Sequence, residues 1–133
     1  MREQMEFGMP TLIENRDLEE AVLLCRELGL QFVELNMNFP MYQIPQVEET
    51  AYLKEPASKN NIYFTIHLDE NLNVCDFNPL VADAYLKTVE RALKAAREIG
   101  IAKECGCRCV VETKTVDALR ESVAWLKKSG YMK

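Results

Sequence analysis

The chain has 133 residues, 48% of them apolar and 28% charged, which are the proportions of one globular domain and not of a disordered or fibrous chain. Its formal charge of −5 opposes phosphate backbones, and no Lys/Arg cluster stands out, so nucleic acid is not an expected partner. The first residues lack the apolar core of a signal peptide, no segment approaches the roughly 20 apolar residues of a membrane span, and five cysteines make a poor disulfide framework. The expectation is a soluble, cytoplasmic protein with reduced thiols and no membrane partner.

In chain order, Met5 to Pro10 is a short apolar run, and Asp17-Leu-Glu-Glu20 then offers a helix cap with Glu20 at the capping-box position. Leu18, Ala21, Val22, Cys25 and Leu28 recur at helical spacing, and Gly29 supplies the left-handed residue that ends the helix. Phe32 to Met37 reads as the next strand. A loop holding Pro40 and Pro45 leads to a weaker helix, Val47 to Lys59, in which Pro56 should break or kink the hydrogen bonding. Ile62 to His67 is rich in β-branched and aromatic residues and reads as a buried strand, followed by a long polar loop to Phe77.

Asn78-Pro79 pairs a cap with a proline at the first helical position. Behind it Val81, Ala84, Tyr85, Thr88, Val89, Ala92, Leu93, Ala96 and Ile99 form one stripe predicted to pack on the sheet. A last strand, Cys107 to Thr113, precedes a helix capped by Thr115, with Val116, Leu119, Val123 and Leu126 at helical spacing and Gly130 at its end.

Strict alternation of strand and helix predicts an α/β fold: one domain over 1–133, a parallel sheet of four βα units, and functional groups at the carboxyl ends of the strands. Those ends are Pro10-Thr11, Asn36-Met-Asn38, His67-Leu-Asp69 and Glu112-Thr-Lys114. Four units are half of a closed βα barrel. A helix-ending pattern occurs at Arg26-Glu-Leu-Gly29, Arg97-Glu-Ile-Gly100 and Lys103-Glu-Cys-Gly106, the last two in tandem with no strand between. Tandem endings suggest a splice point from which units have been lost, with Gly100 to Gly106 a helical or irregular joint; chance similarity of amphipathic helix ends is the alternative.

Phe32-Val-Glu-Leu-Asn-Met-Asn-Phe-Pro40, Tyr63-Phe-Thr-Ile-His-Leu68 and Val110-Val-Glu-Thr-Lys114 resemble the second, third and eighth strands of xylose-isomerase-like TIM barrels. That superfamily takes in sugar and sugar-phosphate isomerases and epimerases and the endonuclease IV (AP endonuclease family 2) proteins. Residues 1–101 resemble the first three βα units and 102–133 the last, which implies an incomplete, half barrel. The resemblance implies a site around a divalent metal (Mn, Mg, Co or Zn), with Glu112 as metal ligand and proton-transfer group and His67 as substrate or metal contact. The remaining ligands of the family belong to strands this chain lacks, so metal is expected to bind weakly or not at all.

Read as residues, Glu112 ends an apolar strand, where a carboxylate is costly unless a metal or cation compensates it; pairing with Lys114 at an open sheet end is the plainer reading. His67 is the only histidine, which excludes a multi-histidine metal site within one chain; an ordinary strand-end histidine bonded to backbone is its alternative. Glu34 and Asn36 share one strand face and are candidates for binding substrate hydroxyls, or for simple solvation. Cys105, Cys107 and Cys109 read as buried thiols rather than a soft-metal site. The expectation for function is a shortened isomerase/epimerase relative, inactive as a lone chain. A metal-dependent endonuclease and a non-catalytic self-associating half barrel are the alternatives. The expected partners are a second copy, as a homodimer or larger assembly, and a sugar or sugar phosphate. A monomer with helices on both faces of an open sheet is the competing outcome to the dimer.

Overall fold

The computed structural model describes residues 5–99, 108–111 and 113–132. Glu112, the joint from Gly100 to Gly106, and Cys105 and Cys107 lie outside them. Strand β1 (Glu6–Pro10) is followed by α1 (Leu18–Glu27), β2 (Phe32–Asn36), a 3-10 turn (Pro40–Tyr42), α2 (Ile44–Val47) and α3 (Thr50–Asn60). Then come β3 (Tyr63–His67), α4 (Pro79–Ile99), β4 (Arg108–Val110) and α5 (Val116–Lys128). The fold is mixed α/β, and its strands run parallel in the order β3-β2-β1-β4. Among the described residues no helix is long and apolar enough to cross a membrane.

The helix ends follow local chemistry. Asp17 accepts from the Glu20 amide at 2.8 Å, and Glu20 reaches back to the Arg16 amide at 2.7 Å, so two donors at the start of α1 are satisfied. At the other end Gly29 adopts φ +73, and the Leu30 and Gly29 amides bond to the Cys25 and Arg26 carbonyls at 2.9 and 3.0 Å. Thr115 caps α5 through the Ala118 amide at 3.2 Å, and Asn78 caps α4 through the Leu80 amide at 3.1 Å.

The two sides of the sheet differ in kind. Phe7, Met9, Val33, Leu35 and Phe64 point to one side, where they form a single cluster with Leu18, Val22, Leu53, Leu119 and Val123 from α1, α3 and α5. By the period of two, Gly8, Phe32, Glu34, Asn36, Tyr63, Thr65 and His67 face the other side. There the Phe32 and Tyr63 rings stack with centroids 5.2 Å apart, and the Tyr63 hydroxyl donates to Glu6 at 2.6 Å. A Cβ on Gly8 would lie 2.3 Å from two Phe32 ring carbons, so glycine is what lets that ring lie flat across β1.

Three expectations need correction. The single helix from Val47 to Lys59 is two, and the break falls at Glu48–Glu49 rather than at Pro56. Pro56 is carried inside α3 because the carbonyl it leaves without a donor, that of the exposed Tyr52, has water to bond. The strand expected from Cys107 to Thr113 is described as only Arg108–Val110. In the α4 stripe only Ala92 is buried, together with Ala95 from outside the stripe, while Leu93 is 55% exposed. The helix lies over an outer strand, so half of its apolar face has no neighbour among the described residues.

Candidate functional site

The carboxyl ends of the strands open into a cleft of about 610 Å³, within the range of small-molecule sites. Parallel pairing accounts for its location. Asn36 is in register with His67, and Glu34 with Thr65 and Pro10, so three side chains from two strands rise on the same face. Glu34, Asn36 and His67 therefore line one cleft, with Thr11, Asn38, Glu70, Thr113 and Lys114 around them. Thr113 and Lys114 follow directly on Glu112.

Hydrogen bonds fix the rim. The buried Thr11 hydroxyl accepts from the Asn36 amide at 3.1 Å, which ties the ends of β1 and β2 together. Asn36 Oδ1 accepts from the Asn38 amide at 2.9 Å, an Asx turn that leaves the Asn36 Nδ2 donors to the cleft. Asn38 Oδ1 in turn accepts from the Glu70 amide at 2.9 Å, holding the loop after β3 against the loop after β2. His67 Nδ1 lies 2.8 Å from the Leu68 carbonyl, which can only accept. The proton of a neutral imidazole therefore sits on Nδ1 and leaves the Nε2 lone pair available, the arrangement that histidine ligands and bases use.

The cleft thus offers amide donors on Asn36, an imidazole nitrogen, one ammonium on Lys114, the Thr113 hydroxyl, and the carboxylates of Glu34 and Glu70. Such a mixture matches the alternating donors and acceptors of a hydroxylated small molecule. Among the described residues no three His, Cys, Asp or Glu side chains come together as metal ligands would, so the described donor set does not fit a divalent metal. Elsewhere, Cys25 is buried and Cys75 exposed, both as free thiols.

Glu34, Asn36 and His67 were legible from the sequence as strand-end polar groups. Glu70 was not, because it enters from a loop whose path depends on the bond to Asn38. No protein-family model, curated protein or solved structure matches the chain.

Proposed function

We propose that this chain is a half barrel of xylose-isomerase-like ancestry that binds a sugar or sugar phosphate in the cleft at its strand ends and does not turn it over as a lone chain. The observation that carries the reading is the convergence of Glu34, Asn36 and His67 on one cleft at the carboxyl ends of parallel strands, where βα barrels keep their sites. The described helices α1, α3 and α5 bury their side chains against one face of the sheet, as in a barrel wall; a doubly wound sheet would be covered on both. With Lys114 opposed by Glu34 and Glu70, the cleft favours a hydroxylated ligand over a nucleic acid backbone, which is the observation against the endonuclease reading.

Titration with xylose and with fructose 6-phosphate, followed by amide chemical shifts, tests this. Shifts should concentrate at Thr11, Asn36, Asn38, His67 and Lys114, with a Kd on the order of 1 mM for so open a site. Asn36→Ala should remove the response without unfolding the chain. Shifts scattered over the surface, or none at tens of millimolar ligand, would overturn the reading. Isomerisation of either sugar by the purified chain above background would overturn the claim that it is inactive alone.

A further inference from the structure

The outer flanks of the sheet carry complementary features at opposite ends. Beyond β4, the residues Val110, Val111, Glu121, Ser122, Trp125 and Leu126 bound an open groove of about 600 Å³ between strand and helix. On its rim Trp125 is 59% exposed, with Tyr131 stacked on it at 5.9 Å between centroids. Beyond β3, α4 presents Leu86 and Leu93, 47% and 55% exposed, at i and i+7 on one side of the helix. One flank is an apolar groove beside a strand, and the other is an apolar helix ridge beside a strand.

We infer that a second copy of this chain occupies both flanks: α4 of each copy seats Leu86 and Leu93 in the groove between β4 and α5 of the other. The sheet order makes this a closed arrangement. With all strands parallel, a two-fold axis along the strand direction places β3 of each copy beside β4 of the other, giving eight strands in one ring. A helix that follows a strand in a βα barrel lies over the junction with the next strand, which is where α4 would meet the partner's β4 and α5.

The surface area is large enough. The chain exposes 8902 Å², about 1,800 Å² more than the roughly 7,100 Å² expected of a compact 15.3 kDa monomer. Even half of that surplus exceeds the about 800 Å² per partner of a standard stable interface. Closure would also complete the cleft, because His67 on the outer strand β3 would face Lys114 of the partner subunit. The inference rests on the half-barrel geometry but not on the identity of the ligand.

Complementary charges at the two flanks give the test. Trp125→Glu and Leu93→Lys each change an exposed side chain, so each variant should keep its far-ultraviolet circular dichroism. Light scattering at micromolar concentration should give wild-type chain at twice 15.3 kDa and each variant alone at 15.3 kDa. An equimolar mixture of the two should return to the double mass: one junction then pairs the introduced carboxylate with the introduced ammonium, and the other is wild type. A wild-type mass of one chain, a double mass that persists in either variant, or a mixture that stays single would each overturn the proposal. In the first of these cases sugar-induced shifts in the cleft would still stand, so the two readings fail separately.

Discussion

Helices α1 and α4 are both amphipathic, yet α1 buries five of its ten residues and α4 only two of its twenty-one. Helix α1 crosses from β1 to β2 at the middle of the sheet, with α3 beside it and α5 bonded to it through the Arg120–Glu27 pair. Helix α4 lies over the outer strand β3, with the loop and short helix after β2 on one side and an open flank on the other. An apolar stripe therefore says that a face is built for burial; the neighbour that buries it is a property of topology and of assembly.

The comparison breaks most visibly under truncation of one leucine in each helix. Leu18 is fully buried and Leu93 is 55% exposed. Leu18→Ala should cost about 3 kcal/mol, from lost transfer energy and the cavity left behind. Leu93→Ala should cost under about 0.5 kcal/mol in single copies, where its side chain already meets water. Urea unfolding in the Trp125→Glu background, which holds the chain as single copies, measures both; equal losses would mean that the α4 flank is covered within one chain.

Next in size is Gly8→Ala, which asks whether the face away from the helices is packed as firmly as the face α1 covers. The added methyl would lie 2.3 Å from Phe32, a ring 1% exposed and stacked on Tyr63, so ring or strand must move at about 1–3 kcal/mol. A neutral result by thermal unfolding would show that the Phe32 ring has room to swing aside.

These two substitutions also mark what the sequence made legible. The caps at Asp17, Asn78 and Thr115, the turn at Gly29 and the strand cores rest on near-neighbour chemistry and were predictable from it. The contact of Gly8 with Phe32 joins different strands, and the exposure of Leu93 depends on which strand is outermost, so neither leaves a local signal. The same division holds in the cleft: the period of two put Glu34 and Asn36 on one face, but only the sheet register brought His67 beside them. Glu112, the residue on which the family resemblance leans most, lies outside the described residues.

A smaller effect separates the thiols. Burial against β2, where Cys25 Sγ donates to the Phe32 carbonyl at 3.3 Å, raises the Cys25 pKa from 9.0 to about 12. Because the folded value is the higher one, the neutral buried thiol contributes stability fully below pH 9.0, and that contribution is lost as pH rises from 9.0 towards about 12. The loss should be about 1 kcal/mol at pH 10 and missing from the profile of Cys25→Ala. Burial also raises the Tyr42 pKa, from 10.0 to about 12, so its part of the alkaline loss begins later. In the native chain at pH 8, iodoacetamide should label the exposed Cys75 and leave Cys25 unmodified, as peptide mass spectrometry would show.

The smallest effect concerns the caps, and it sharpens the contrast between the two helices most directly. Asp17 and Asn78 perform the same task, each accepting a bond from a backbone amide in the first turn of its helix. Their removal should nonetheless have different reach. The first turns of α1 hold the buried Leu18, Ala21 and Val22, so fraying there opens the core, and Asp17→Ala should lower global stability by about 1 kcal/mol. The first buried residue of α4 is Ala92, so its N-terminal turns can open while the core stays shut. In single copies Asn78→Ala should therefore change global stability by no more than a few tenths of a kcal/mol while speeding amide hydrogen exchange through the first turns of α4. In the dimer, where the partner's groove would hold Leu86 and Leu93, the same substitution should cost nearly as much as Asp17→Ala. Equal costs in single copies would show that α4 is held along its whole length by its own chain, and the asymmetry between the two helices would disappear.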